Sequence, residues 1–212
     1  MTDFILGPLW TAAVWIFTAG VIWRITIIFY QGFRKDKSIA RSSGVTSGFM
    51  TIFRRFLPRS ELLKRSRFLL IAGYMFHLGL LTLLFFAAPH VEFIEQYLLG
   101  FSWTPLPHWA FILSAELAFA GLILLWLRRL THPVTRLLSN LDDYLAAALT
   151  FLAMLTGCLA LLESFEGLRV LHVLGTELLM IYFPFSSLTH AFTIFISRGA
   201  TGSAAGRHGV TV

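Results

Sequence analysis

The sequence predicts an all-α integral membrane protein, a bundle of five transmembrane helices. Three observations lead there. First, 57% of the 212 residues are hydrophobic and only 13% are charged, whereas soluble domains stand near about 45–50% and about 25%. Second, the apolar residues gather into five runs, each close to the roughly 20 residues that a helix needs to cross a bilayer. Third, the connections between runs alternate between basic and acidic, as chains threaded through a membrane do.

The first run covers about residues 5–30. It is too long, and lacks the positive start, for a cleaved signal peptide. It leads into a connection, residues 31–67, that holds ten of the 17 Lys and Arg, from Arg34, Lys35 and Lys37 through Arg59 to Arg67. Cytoplasmic connections carry such an excess, so the N-terminus is expected outside and this loop in the cytoplasm. Within it, Phe49–Leu57 alternates apolar and basic residues like an interfacial helix.

The second run, about 68–88, stops at Pro89-His90; the loop to Pro107 has no Lys or Arg and carries Glu92 and Glu95. The third run, about 108–130, returns to Arg128-Arg129, and the fourth, to about Leu162, ends outside at Glu163 and Glu166. Asp142 and Asp143 at its start suit helix N-capping better than catalysis. The fifth, Leu168–Ser197, brings the C-terminus back to the cytoplasm. Residues 1–198 thus form one five-helix membrane domain, and the Gly-, Ser- and Ala-rich segment 199–212 is expected to be a mobile tail.

The net charge of +6 does not signal nucleic acid, because the basic residues collect at one membrane face. They suit topology, anionic lipid or a docked partner. With Cys158 as its one cysteine and no C-x-x-C-H, the chain cannot by itself build a disulfide, a cysteine-ligated zinc site or an iron–sulfur cluster, and any haem is bound non-covalently.

The chemistry lies with histidine. His172 and His190 are 18 residues apart, which in an unbroken helix is five turns and about 27 Å on one face, near the thickness of the hydrocarbon core. His77 lies ten residues into the second span from Arg67, and His190 eight residues in from Arg198, which at 1.5 Å per residue puts both about 12–15 Å deep. They can share an inner site. His90 and His172 match in level near the outer surface and define a second. Two imidazoles per iron leave no open position, which suits electron transfer. The expectation is two b-type haems across the bilayer. If His90 is not the outer ligand, His108 replaces it, and otherwise the chain holds one haem.

Phe183–His190, preceded by Arg169-Val170-Leu171-His172, resembles the last span of the gamma subunit of respiratory nitrate reductase and its relatives. Phe76-His77-Leu78-Gly79 resembles that family's second span, and Asp143-Tyr144-Leu145 the start of its fourth. The resemblance implies five spans, an outside N-terminus and bis-histidine haems. It further implies a place among the membrane subunits of nitrate reductases, heterodisulfide-reductase-like complexes and sulfite-reduction-associated complexes, which pass electrons between a quinone or phenazine pool and a cytoplasmic iron–sulfur partner. The sequence departs from the pattern at Ala87, where a second histidine usually stands, and at Ser187, often Arg in the family.

Oxidising a quinol releases two protons with two electrons, so a proton acceptor is needed beside a lipid-accessible pocket. His108, opening the third span between Pro107 and Trp109, is the candidate. Glu177, inside the fifth span, either bonds a neighbouring helix or carries protons. Arg169 is a candidate partner for a haem propionate. The expected protein is therefore the cytochrome b subunit of a respiratory complex in the inner (cytoplasmic) membrane. Its partners are a quinone, membrane lipids, and cytoplasmic iron–sulfur and catalytic subunits. The alternative is a haem-free transporter or assembly protein whose histidines are structural or bind metal.

Overall fold

The computed structural model describes residues 2–30, 39–57, 60–161 and 166–210. Arg34, Lys35, Lys37, Arg59 and Glu163, assigned above to connections, lie outside these. Among the described residues there is no strand. Five helical stretches are long and apolar enough to cross a membrane: Thr2–Tyr30, Ser66–Phe86, His108–Thr131, Leu141–Ala160 and Gly167–Phe185. The elements are α1 (Thr2–Tyr30), α2 (Val45–Arg54), α3 (Ser60–Phe86, kinked at Ser66), α4 (Ala88–Ile94), α5 (His108–Thr131), α6 (Pro133–Leu138), α7 (Leu141–Ala160), α8 (Glu166–Tyr182) and α9 (His190–Arg207). They fall into two compact units, Met1–Ser60 with Val173–Val212, and Glu61–His172.

In the second unit, α3, α5 and α7 pack around Leu83, Ala118, Leu122 and Met154, with Phe76, Leu80, Phe111, Phe119 and Phe151 against them. Small residues let the backbones approach, as in membrane helix pairs generally. A Cβ added at Gly79 would stand 2.6 Å from the Ser114 carbonyl oxygen, and one at Gly121 would stand 2.7 Å from that of Ala72. The start of α7 is fixed by a capping box: the Asn140 side chain accepts from the Asp143 N–H at 3.1 Å, and the Asp143 carboxylate accepts from the Asn140 N–H at 3.0 Å. Arg129, closing α5, pairs with the same carboxylate at 3.0 Å. Asp143 thus has the capping role expected of it.

In the first unit, Phe17 of α1 meets Phe183 and Phe192 edge to face, with centroids 5.4 and 6.3 Å apart. The neighbouring segment corrects one expectation. Helix α8 ends at Tyr182, short turns follow at Phe183–Phe185 and Ser187–Thr189, and Ser186 between them is extended at φ −113°, ψ 173°. Pro184 has no N–H to continue the ladder, and its ring clashes with the carbonyl four residues earlier. The run Leu168–Ser197 is therefore two helices, and counting five turns from His172 to His190 no longer places them on one face. The fifth candidate span stops at Phe185, and His190 opens α9.

A second correction concerns 199–212, expected to be mobile. Helix α9 continues to Arg207 and packs along α2. Composition suggested a flexible chain, but the small residues are spaced to form one helix face. Gly199, Gly202 and Gly206 recur every three or four positions, opposite Gly44, Ser47, Gly48 and Thr51. A Cβ at Gly48 would come 2.8 Å from the Gly199 carbonyl oxygen, and one at Gly202 would collide with Thr51 Oγ1. The Arg41 N–H donates to the Arg207 carbonyl at 2.8 Å, and Arg198 donates to that of Ile52 at 3.3 Å while lying over the Phe56 ring.

Overpacking a close contact costs about 1–3 kcal/mol, so Gly202→Leu should part α2 from α9. Trypsin cleavage after Arg198 and Arg207, slow in the native protein, should become fast in the variant; equal rates would show that the pairing does not hold the segment.

Candidate functional site

The second span ends at a proline, and this organises one pair of histidines. Ala87 turns extended at ψ 135°, and Pro89 sits in the first turn of α4. The break removes the helical partners of the Leu84, Phe85 and Phe86 carbonyls, groups that are costly to leave bare in an apolar phase. Each finds a substitute. The Trp103 indole N–H donates to Phe85 at 2.9 Å, and the Leu106 N–H donates to Phe86 at 2.9 Å. His90 Nδ1 sits 3.1 Å from the Leu84 oxygen and 3.1 Å from that of Leu83. Because the helix is broken, the 13-residue spacing from His77 to His90 implies no angle between them.

Across from His90 stands His172, on the first turns of α8. The two rings lie 6.2 Å apart between centroids with their planes 23° from parallel. His172 Nδ1 lies 3.3 Å from the Thr156 hydroxyl, which itself donates to the Leu152 carbonyl at 2.7 Å. The His172 ring rests on Gly157, where a Cβ would come 2.9 Å from Cε1. Sequence reasoning paired His90 with His172 but missed Thr156 and Gly157. The only signal of the pair was a hydroxyl and a glycine one turn before the C-terminal end of α7.

The same pattern recurs at His77, whose Nδ1 is 2.7 Å from the Gly73 carbonyl, and at His190, whose Nδ1 is 2.8 Å from that of Ser187. A carbonyl oxygen only accepts, so the proton sits on Nδ1 and the lone pair on Nε2. This is the tautomer of metal-ligating histidines, which nearly always donate their other ring N–H to a carbonyl or carboxylate. His132 differs: its Nδ1 is buried without a partner.

No cluster of three or more His, Cys, Asp or Glu that could hold a metal occurs among the described residues. A protein-only zinc site needs three or four such ligands. A porphyrin brings four of its own, so a pair of imidazoles suffices, and the donor set fits haem better than a bare ion.

The remaining candidates lie apart from these contacts. His108 opens α5 and is exposed, as are Trp109 beside it and Arg169 on α8. Glu116 is exposed on α5. Glu177 on α8 is wholly buried, with neither carboxyl oxygen hydrogen-bonded.

No family model matches the chain, and no solved structure matches it. It is similar to a protein of Nitratidesulfovibrio vulgaris, described only as "Protein". The two are 28% identical over 210 residues, covering 95% of this chain and 92% of the relative.

Replacing glycine by alanine inside a helix ordinarily stabilises it by up to about 1 kcal/mol. Gly73→Ala should do so, since a Cβ there meets nothing within 4 Å. Gly157→Ala should have the opposite sign, by about 1–3 kcal/mol, because the His172 ring must move. Thermal unfolding of both variants in detergent would check this; stabilisation by Gly157→Ala would mean that the ring does not rest there.

Proposed function

We propose that this chain is the membrane cytochrome b subunit of a respiratory redox complex. It would pass electrons between a quinone pool and a cytoplasmic iron–sulfur partner. The observation carrying the reading is that the Nδ1 atoms of His77, His90 and His190 sit on backbone carbonyls and that of His172 on a threonine hydroxyl. On this reading Nε2 of each imidazole would be the ligand atom. His90 and His172 would then hold one b-type haem, and His77 and His190 are the candidate ligands for a second. A haem bound between two imidazoles supplies one-electron transfer with no open coordination position for oxygen or substrate.

The chain's own work is to fix and tune these ligands. The Leu84 and Gly73 carbonyls hold their imidazoles in one tautomer and increase their basicity. Gly157 leaves room for the His172 ring, and Thr156 sets its rotation. His108, exposed where α5 begins, accepts a proton from quinol arriving through the lipid. Arg169 would pair with a haem propionate.

Arg41, Arg54 and Arg55 are exposed and lie in the connection read as cytoplasmic, where they offer a basic surface to the iron–sulfur partner. The topology that goes with this has the N-terminus outside and the C-terminus in the cytoplasm of a cell bounded by its inner membrane. The stretch Ala87–Pro107, without Lys or Arg, is then external.

Protein purified from haem-replete cells should give a b-type band in the reduced-minus-oxidised spectrum. His90→Ala or His172→Ala should each remove about half of the pyridine haemochrome, and His77→Ala or His190→Ala the other half, since an axial ligand is lost. Protein free of haem, or variants with unchanged content, would refute the reading.

A further inference from the structure

Glu177 lies inside the fifth candidate span, which ends at Phe185. It is 0% exposed, and it is the largest fully buried side chain among the described residues. Its partners on the same helical face would come from positions three or four away. These are Val173, Leu174, Met180 and Ile181, none with a polar side-chain group. Neither Oε1 nor Oε2 has a hydrogen-bond partner.

An ionised carboxylate without counter-ion or donor is untenable in such surroundings, so the group is a neutral carboxylic acid. A buried acid with a purely structural role spends its O–H and its carbonyl oxygen on a neighbouring helix. Glu177 does neither, and it retains one donor and its acceptors for a small polar partner. Of the species small enough to reach a buried carboxyl, water has the matching chemistry: it both donates and accepts, and it exchanges protons.

We propose that Glu177 is a proton-binding site inside the membrane, loaded in the resting protein and in exchange with water. Its role rests on the cytochrome reading. When one electron enters the protein, the added negative charge strengthens the hold on the carboxyl proton and alters its hydrogen bond to water. When the electron leaves, the bond relaxes. The carboxyl stays neutral in both states; the electron comes from, and returns to, the redox partners of the cytochrome reading, and Glu177 neither gains nor loses a proton overall.

Infrared spectroscopy of the full-length protein tests this. The wild type should show a protonated-carboxyl C=O band that shifts to lower frequency in D2O and is lost in Glu177→Gln. In Glu177→Asp it should persist, displaced. The same band should move in the electrochemically reduced-minus-oxidised difference spectrum, and haem content should be equal in all three proteins, because Glu177 is not a ligand. A band that ignores D2O would mean a sealed structural acid, and no difference between wild type and Glu177→Gln would mean an ionised group; either overturns the site. A band indifferent to reduction overturns its redox role. If the protein holds no haem, it is the cytochrome reading that fails, and the D2O measurement alone then decides whether Glu177 holds an exchangeable proton.

Discussion

In an apolar phase no backbone carbonyl can turn to water, so every interruption of a helix has to be repaired by something else in the chain. The described structure follows from how two prolines are accommodated. At Pro89 the ladder of α3 breaks, and its last carbonyls are taken by an imidazole, an indole and a loop amide. At Pro184 the chain passes through two short turns, and the Ser187 carbonyl is met by His190. In both places a histidine is drawn into the repair through Nδ1. The bond that repairs the helix also fixes the orientation of the ring, so fold maintenance and imidazole orientation are one interaction.

Close approach is the complementary theme. Between α3 and α5, and between α2 and α9, glycines stand where any side chain would collide with a neighbour's backbone or hydroxyl. Lipid tails are as apolar as leucine, so helices gain little by hiding greasy side chains from them; packing of smooth surfaces takes over. This explains why so many large hydrophobic residues, among them Trp15, Trp23, Leu78 and Trp109, remain on the outside.

Much of this is legible in the sequence. The five candidate spans follow from apolar run lengths, the cap at Asp143 from its place before a helix, and the nearness of His90 and His172 from the ends of the runs that carry them. What is hidden has physical causes. The break at Ser186 follows a proline inside a stretch that is apolar on both sides of it, so counting residues carried the helical period through a point where the backbone abandons it. The segment after Gly199 reads as flexible by composition, and only the opposite stripe on α2 shows that its glycines are contact positions. Thr156 and Gly157 belong to a different span from the ring they support, and no local pattern ties them to His172.

The repair at Pro89 has a mechanical corollary. Trp103 and Leu106 fasten the connection Gly100–Pro107 to the carbonyls of Phe85 and Phe86, and His90 is fastened to the carbonyl immediately before them. Ring and loop hang from adjacent links of one helix end. A force applied to the loop therefore tilts the imidazole, and a displacement of the imidazole is returned to the loop as strain.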